Sequence, residues 1–323
     1  NYLSYALTAS LRVLRFRAVR RFDAVLVHET SPVTVGIPGV LASWLWRCPM
    51  YFWVLDLWPE SLTAAGGVTN GAVLGFFGRL TRWIYRHSRR ILISSLGFRE
   101  SIESKGIPGD KIEYFPNWPD RALLAGTSYA LPALPSGFIV MFAGNIGEAQ
   151  DFEHVMEAAL ALRSERGIHF VLVGDGRKRP WVDRFVAANA LEATVHLVGR
   201  HPLEAMPAFF SRASLMLVSL KDEPIFRLTA PAKLQAYMSA GRPVAAMLGG
   251  EGGRIVAEAG CGFAVPAADG KALAAAVLRA SRLPAAELSA MGERGRAYCR
   301  AHFDFAGLMD RLCRMLEDDT CND

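Results

Sequence analysis

Cysteine is scarce in this chain and poorly placed for structural work. The five thiols, Cys48, Cys261, Cys299, Cys313 and Cys321, are odd in number and show neither CxxC nor Cys/His ligand spacing. That excludes a disulfide framework and a zinc site as organising features and fits a reducing cytoplasm. Long apolar runs are missing too. The candidate VTVGIPGVLASWLW (33–46) contains Pro38 and stops at Arg47, short of the roughly 20 residues a bilayer span needs, so the chain is not expected to be transmembrane. Two nucleotide signatures are absent. GDGRKR at 174–179 lacks the third glycine of GxGxxG, and no GxxxxGK[ST] occurs, which removes most support for a generic dinucleotide oxidoreductase or a P-loop enzyme.

What remains is an ordinary globular composition, 51% hydrophobic and 21% charged over 323 residues, enough for two cores. The net charge of +5 is unevenly placed: residues 1–120 hold 14 Lys+Arg against 9 Asp+Glu, and the rest of the chain balances. The excess lies in LRVLRFRAVRRF (11–22) and FFGRLTRWIYRHSRR (76–90). Such stretches are either solvated helix faces over core aromatics or a surface that docks on an anionic membrane, each basic residue there contributing about 1 kcal/mol. Neither stretch sits in a nucleic-acid-binding motif, so no nucleic-acid partner is expected.

Apolar runs recur between helical patterns at 22–29, 50–57, 90–95, 111–117, 138–146, 169–176, 194–200, 214–220 and 243–248. Continuous apolar strands alternating with helices predict parallel sheets covered on both faces, hence two α/β domains with a hinge near 118–137. The first has only about four strands and the chain opens on Asn1, so a missing N-terminal piece is expected.

Ligands bind at the carboxyl ends of parallel strands. In the second half the residues there are Gly144-Asn145-Ile146-Gly147, Gly174-Asp175-Gly176-Arg177, Gly199-Arg200, Lys221-Asp222-Glu223 and Gly249-Gly250-Glu251-Gly252-Gly253. Glycines allow backbone N–H groups to approach a ligand closely, although each is as often a plain turn. LTAPAKLQAYMSAGRP (228–243) predicts a helix opening near Pro231, capped by Thr229 and stopped at Gly241. Lys233 in its first turn opposes the positive end of the helix dipole unless an anion sits there. A nucleotide diphosphate fits that outline. In the first half, FWVLDLWPESL (52–62) puts Asp56 at a strand end beside Trp58; the rival reading makes Asp56 a cap and Trp58 core.

FWVLDLWPESL, KIEYFPNWPD, FAGNIGEAQ, FVLVGDG, VHLVGR, DEPIFRLTAPAKLQAYMSAGRPV and GEGGRIVAEAGCGFAVPA, in this order over nearly the whole chain, resemble the GT-B glycosyltransferases of family 4. The likeness is greatest to a bacterial branch that builds O-antigen or capsular polysaccharide on a lipid carrier. It implies two Rossmann-like domains facing a cleft: an acceptor-binding domain at 1–125, incomplete at its N-terminus, and a nucleotide-sugar-binding domain at 135–302. A C-terminal helix at 303–323 would pack back on the first. It also implies a metal-independent, retaining transfer of a sugar, N-acetylated, from a UDP-sugar co-substrate with no other cofactor. The acceptor would be a polyprenyl-diphosphate-linked saccharide, and the protein would sit peripherally on the cytoplasmic side of the inner membrane.

The resemblance gives Asp56 the task of positioning or deprotonating the acceptor, Glu223 that of orienting the donor sugar, and Lys233 that of stabilising the departing UDP. It assigns the nucleotide sugar to Gly144, Asn145, Gly174, Arg177, Gly199, Arg200, Arg227, Thr229, Ala230, Gln235 and Glu251. The chain departs from the wider family in several places. Asn145 and Gln150 stand where an Arg and a Lys are usual, Leu55 stands where a His often precedes the Asp, and Ala236 occupies the second Glu position of Glu-x7-Glu, for which Gln235 or Glu251 could substitute. A UDP-sugar 2-epimerase of the same architecture and an inactive nucleotide-sugar-binding subunit are the rival readings.

Overall fold

The computed structural model describes residues 2–16, 21–123 and 129–320. Residues 17–20 of the first basic stretch and 124–128 of the expected hinge, including the expected domain end at 125, lie outside the described residues. Two compact units form. One runs to Pro116 and takes the chain in again from Phe305; the other is Asn117–Asp304.

The first unit contains α1 (Tyr2–Phe16), β1 (Val25–Glu29), α2 (Gly36–Trp46), β2 (Met50–Val54), α3 (Glu60–Gly66), α4 (Gly71–His87), β3 (Arg90–Ile93), α5 (Phe98–Ser104) and β4 (Ile112–Tyr114). Its strands are parallel in the order β1-β2-β3-β4. β2 reads MYFWV and is buried at every position, as a strand covered on both faces must be. On α4 the residues Thr81, Ile84 and Tyr85 are buried while Arg79, Arg82 and Arg86 are exposed. The second basic stretch is therefore one face of an amphipathic helix.

The second unit contains β5 (Phe138–Ala143), α6 (Phe152–Ala161), β6 (Ile168–Val173), α7 (Arg179–Ala188), β7 (Val195–Gly199), α8 (Met206–Arg212), β8 (Leu215–Ser219), α9 (Pro224–Leu228), α10 (Ala232–Ser239), β9 (Val244–Met247), α11 (Gly250–Ala259), β10 (Gly262–Val265), α12 (Gly270–Ser281) and α13 (Ala285–His302). Its parallel sheet has the order β10-β9-β8-β5-β6-β7. The winding reverses between β5 and β8, the topological position where open α/β sheets bind ligands. Alternate residues of β5 feed two cores: Val140 and Phe142 join one, Ile139 and Met141 the other. The sheet thus has an apolar layer on each face. β10 is a tenth strand that the apolar runs did not reveal.

α14 (Phe305–Thr320) belongs to the first unit. Asp319, 3% exposed, fastens it by accepting from Tyr51 Oη at 2.8 Å, Arg90 Nε at 2.9 Å and Arg89 Nε at 3.3 Å. Burial alone would raise the Asp319 carboxyl, but the Arg90 and Tyr51 hydrogen bonds and the guanidinium charges hold it below the usual range. Among the described residues no helix is long and apolar enough to cross a membrane.

Candidate active site

The glycines ending β5 and β6 shape a cavity of about 910 Å³ in the second unit. Gly144 and Gly174 have φ of +139° and +140°, a backbone that side-chain-bearing residues rarely adopt. A Cβ on Gly174 would lie 1.9 Å from the Gly144 carbonyl oxygen, and one on Gly144 would lie 2.6 Å from Lys233 Cε. The two strand exits are therefore packed backbone on backbone, and the space saved at Gly144 is filled by the lysine stem. Cross-links hold the exits together: Gly174 N–H donates to the Gly199 carbonyl at 2.8 Å and Ile146 N–H to the Asp175 carbonyl at 2.8 Å.

Gly144, Asn145, Gly174, Arg177, Arg200 and Lys233 line the cavity. Arg177 and Arg200 are exposed. Lys233 Nζ lies 4.0 Å from the centroid of the Phe142 ring, within cation–π range, and makes no ion pair among the described residues. Burial without an opposite charge lowers its ammonium to a pKa of about 8. The second residue of α10 thus holds a half-buried cation at the positive end of the helix, with Ala232 beside it on the cavity wall. This pairing of charge and dipole suits an anion.

The remaining expected ligands lie elsewhere. Thr229 does not cap α10: its Oγ1 donates to the Ile225 carbonyl at 2.8 Å and it ends α9, while Pro231 occupies the cap position without a side-chain hydrogen bond. The short helix α9 intervenes, which shifts the start of α10 by one residue. Gln235 is 2% exposed, and its side-chain amide has no partner among the described residues. It is not on the cavity wall, whereas its neighbours Lys233, Ala236 and Tyr237 are. Glu251 is buried and held through both oxygens by Arg254, at 2.8 and 2.9 Å. Arg227 is exposed and forms a fork with Asp222, 2.8 Å to each oxygen, so its charge is already matched. Ala230 packs against the core, Gly199 closes the β7 exit, and Glu223 is exposed at the start of α9. None of these is on the cavity wall.

His201, Leu203, Met206 and Phe210 also line the cavity. His201 Nε2 lies 3.2 Å from the Val198 carbonyl and its ring 4.7 Å from Phe209. Reading one residue beyond Gly199-Arg200 would have found His201. The α8 residues carry no local signal, because only the fold turns that helix face toward the cavity.

In the first unit Asp56 follows β2 and is half-buried. Ser61 Oγ donates a hydrogen bond to Asp56 Oδ1, and Ser31 and the Leu57 amide add to it. Burial nevertheless outweighs these bonds and raises the carboxyl above its ordinary value, with Glu60 adding a little. Such a carboxylate is a stronger base than a solvated one. Trp58 is 6% exposed and packs 5.3 Å from Phe77. It is a core residue and not an aromatic presented beside the carboxylate. Among the described residues no group of three or more His, Cys, Asp and Glu could hold a metal ion.

Two family models match, the Glycosyl transferase 4-like domain over residues 2–118 and Glycosyl transferases group 1 over residues 137–282. WbjE of Pseudomonas aeruginosa, named as a glycosyltransferase, is 27% identical over 300 residues, covering 88% of this chain and 72% of that protein. WcaI of Escherichia coli, named for colanic acid biosynthesis, is 30% identical over 137 residues, covering 40% of this chain and 33% of that one. Anabaena HepE in complex with UDP-glucose superposes with a TM-score of 0.75 at 14% identity, covering 96% of this chain and 82% of that one. With both halves matched and the two-sheet architecture shared, the chain belongs to the family 4 glycosyltransferases of the GT-B fold.

Proposed function

We propose that the chain is a metal-independent, retaining glycosyltransferase that moves an N-acetylated sugar from UDP to a polyprenyl-diphosphate-linked saccharide at an anionic membrane surface. The observation that carries this reading is Lys233: a half-buried ammonium with no carboxylate partner among the described residues, at the start of a helix, in a glycine-walled cavity. Departure of a nucleoside diphosphate leaves negative charge on its outer phosphate. Lys233 and the N–H groups of Ala232 and Lys233, which open α10, stabilise that charge without reorganising. Arg177 and Arg200, at the rim, add screened attraction. Asp56 accepts the proton of the acceptor hydroxyl, and Glu223, exposed beyond the β8 exit and outside the cavity wall, orients the part of the donor sugar that projects from the cavity. Support for the donor class comes from HepE, whose crystals hold UDP-glucose. Support for a polysaccharide product comes from the naming of WcaI. The basic face of α4 and the arginines of α1 provide the membrane contact.

The test is the melting temperature with UDP, GDP, ADP and dTDP, for this chain and for Lys233→Ala. A ligand that binds only the folded state stabilises it by RT ln(1 + [L]/Kd), about 2.7 kcal/mol at 100 Kd. A shift with UDP that the variant loses supports the reading, and no shift with any nucleotide contradicts it.

A further inference from the structure

Glu29, the last residue of β1, is fully buried and has no part in the chemistry above. Its Oε2 accepts from the backbone amides of Leu55 and Asp56, each at 3.3 Å, while Oε1 is buried without a partner among the described residues. These amides leave β2 where the strand ends at Val54. A buried N–H needs an acceptor, and Glu29 supplies one for both.

The geometry points to Glu29 as the positioning residue of Asp56, holding from inside the unit the two amides that set the backbone of the carboxylate. The inference rests on the reading of Asp56 as the base.

The groups around the pair are acidic. Asp56 acts on Glu29 from the β2 exit, and Tyr85 of α4 feels Glu29, Glu60 and Asp56 together. Glu60 of α3 is matched by Lys105 at 2.5 Å, whereas no cation pairs with Glu29 or Asp56 among the described residues. Two neighbouring carboxyls in such surroundings do not both ionise readily. Burial first, and the Asp56 charge second, push Glu29 well above the usual carboxylate range despite the two amides. Asp56 is less buried and better hydrogen-bonded, so it ionises first. Glu29 Oε2 accepts from both amides whether or not Oε1 carries a proton. Glutamine keeps an oxygen acceptor there and alanine removes it.

The test uses the full chain with ¹³C-labelled glutamate carboxyls and amide exchange, in the natural sequence, Glu29→Gln and Glu29→Ala. One glutamate should titrate well above its ordinary midpoint of about 4.3 and be missing from Glu29→Gln. The Leu55 and Asp56 amides should exchange at the natural rate in Glu29→Gln and about tenfold or more faster in Glu29→Ala. If every glutamate titrates normally, or if Glu29→Gln loosens the two amides, the inference is overturned. Should Glu29→Ala fail to fold, the titration and the Gln variant still decide. The base reading fails separately, through an Asp56→Asn variant that keeps its rate of UDP release.

Discussion

The two sheets end in opposite electrostatic settings. At the exits of β5 and β6 the backbone is glycine-walled, the cavity is open and the buried charge is a cation, Lys233. At the exits of β1 and β2 the side chains are packed in and the charges are acidic, Glu29 and Asp56. Burial penalises ionisation in both, so it lowers the lysine and raises the carboxyls. On the proposed reading each shift suits its group: an anion beside Lys233 would favour its charged form, and a raised carboxyl is a better proton acceptor than a solvated one. Surface charge would mislead here, because the excess Lys and Arg lie in the unit whose buried site is acidic.

The contrast can be broken most forcefully at Asp56. Replacing it with Asn should lower turnover by about 10²- to 10⁴-fold and leave the UDP-induced melting shift intact, because that shift reports on the other unit; steady-state rates beside melting curves check both. Next in size, Lys233→Ala should weaken UDP binding about 10- to 100-fold, the worth of a charge-assisted contact of roughly 1.5–3 kcal/mol, as calorimetry would show. Gly144→Ala places a Cβ 2.6 Å from Lys233 Cε at a φ of +139°. It should cost about 1–3 kcal/mol of stability in denaturant unfolding and loosen UDP binding with it. Arg200→Ala, a loss of exposed charge, should weaken UDP by only a few-fold, an effect that fades in high salt.

The smallest effect is the most diagnostic. Because the folded pKa of Lys233 lies below its unfolded value, the charged lysine costs stability at neutral pH, and the cost fades as pH rises from about 8 toward the unfolded pKa. For the carboxyls the sign reverses: their folded pKa values are raised, so their cost grows as pH rises from the unfolded value near 4 through the folded one. Lys233→Met should therefore raise the stability of the ligand-free protein at pH 7, by on the order of 1 kcal/mol after allowance for solvent screening, while weakening the response to UDP. An unchanged or lowered melting temperature would mean that the lysine is not held against its preference.

The inner strands were legible because a strand buried on both faces is apolar throughout: MYFWV at β2 and FIVMFA at β5 could not be missed. β10 was missed because GFAV is short and follows a glycine-rich helix. Lys233 was legible because a cation at a helix start contradicts the dipole and so asks for a reason. Its neighbours were not. Thr229 looked like a cap because α9, five residues long, gives no periodic signal. Which of Gln235 and Ala236 faces the cavity is set by how α10 packs on the sheet, and the sequence of the helix does not show it. Arg227 was expected to contact the nucleotide sugar, although its partner Asp222 lies only five residues away. Glu29 could not be found from sequence, since it meets Asp56 only through the pairing of β1 with β2.

The most direct test of the account is calorimetric titration of UDP at about pH 7.5 and about pH 9.5, on the natural chain and on Lys233→Arg. If Lys233 neutralises the diphosphate, binding to the natural chain weakens as pH rises through about 8, with proton uptake on binding, while the arginine variant, charged at both pH values, shows no such loss. Equal weakening in both proteins, or none in either, would contradict it.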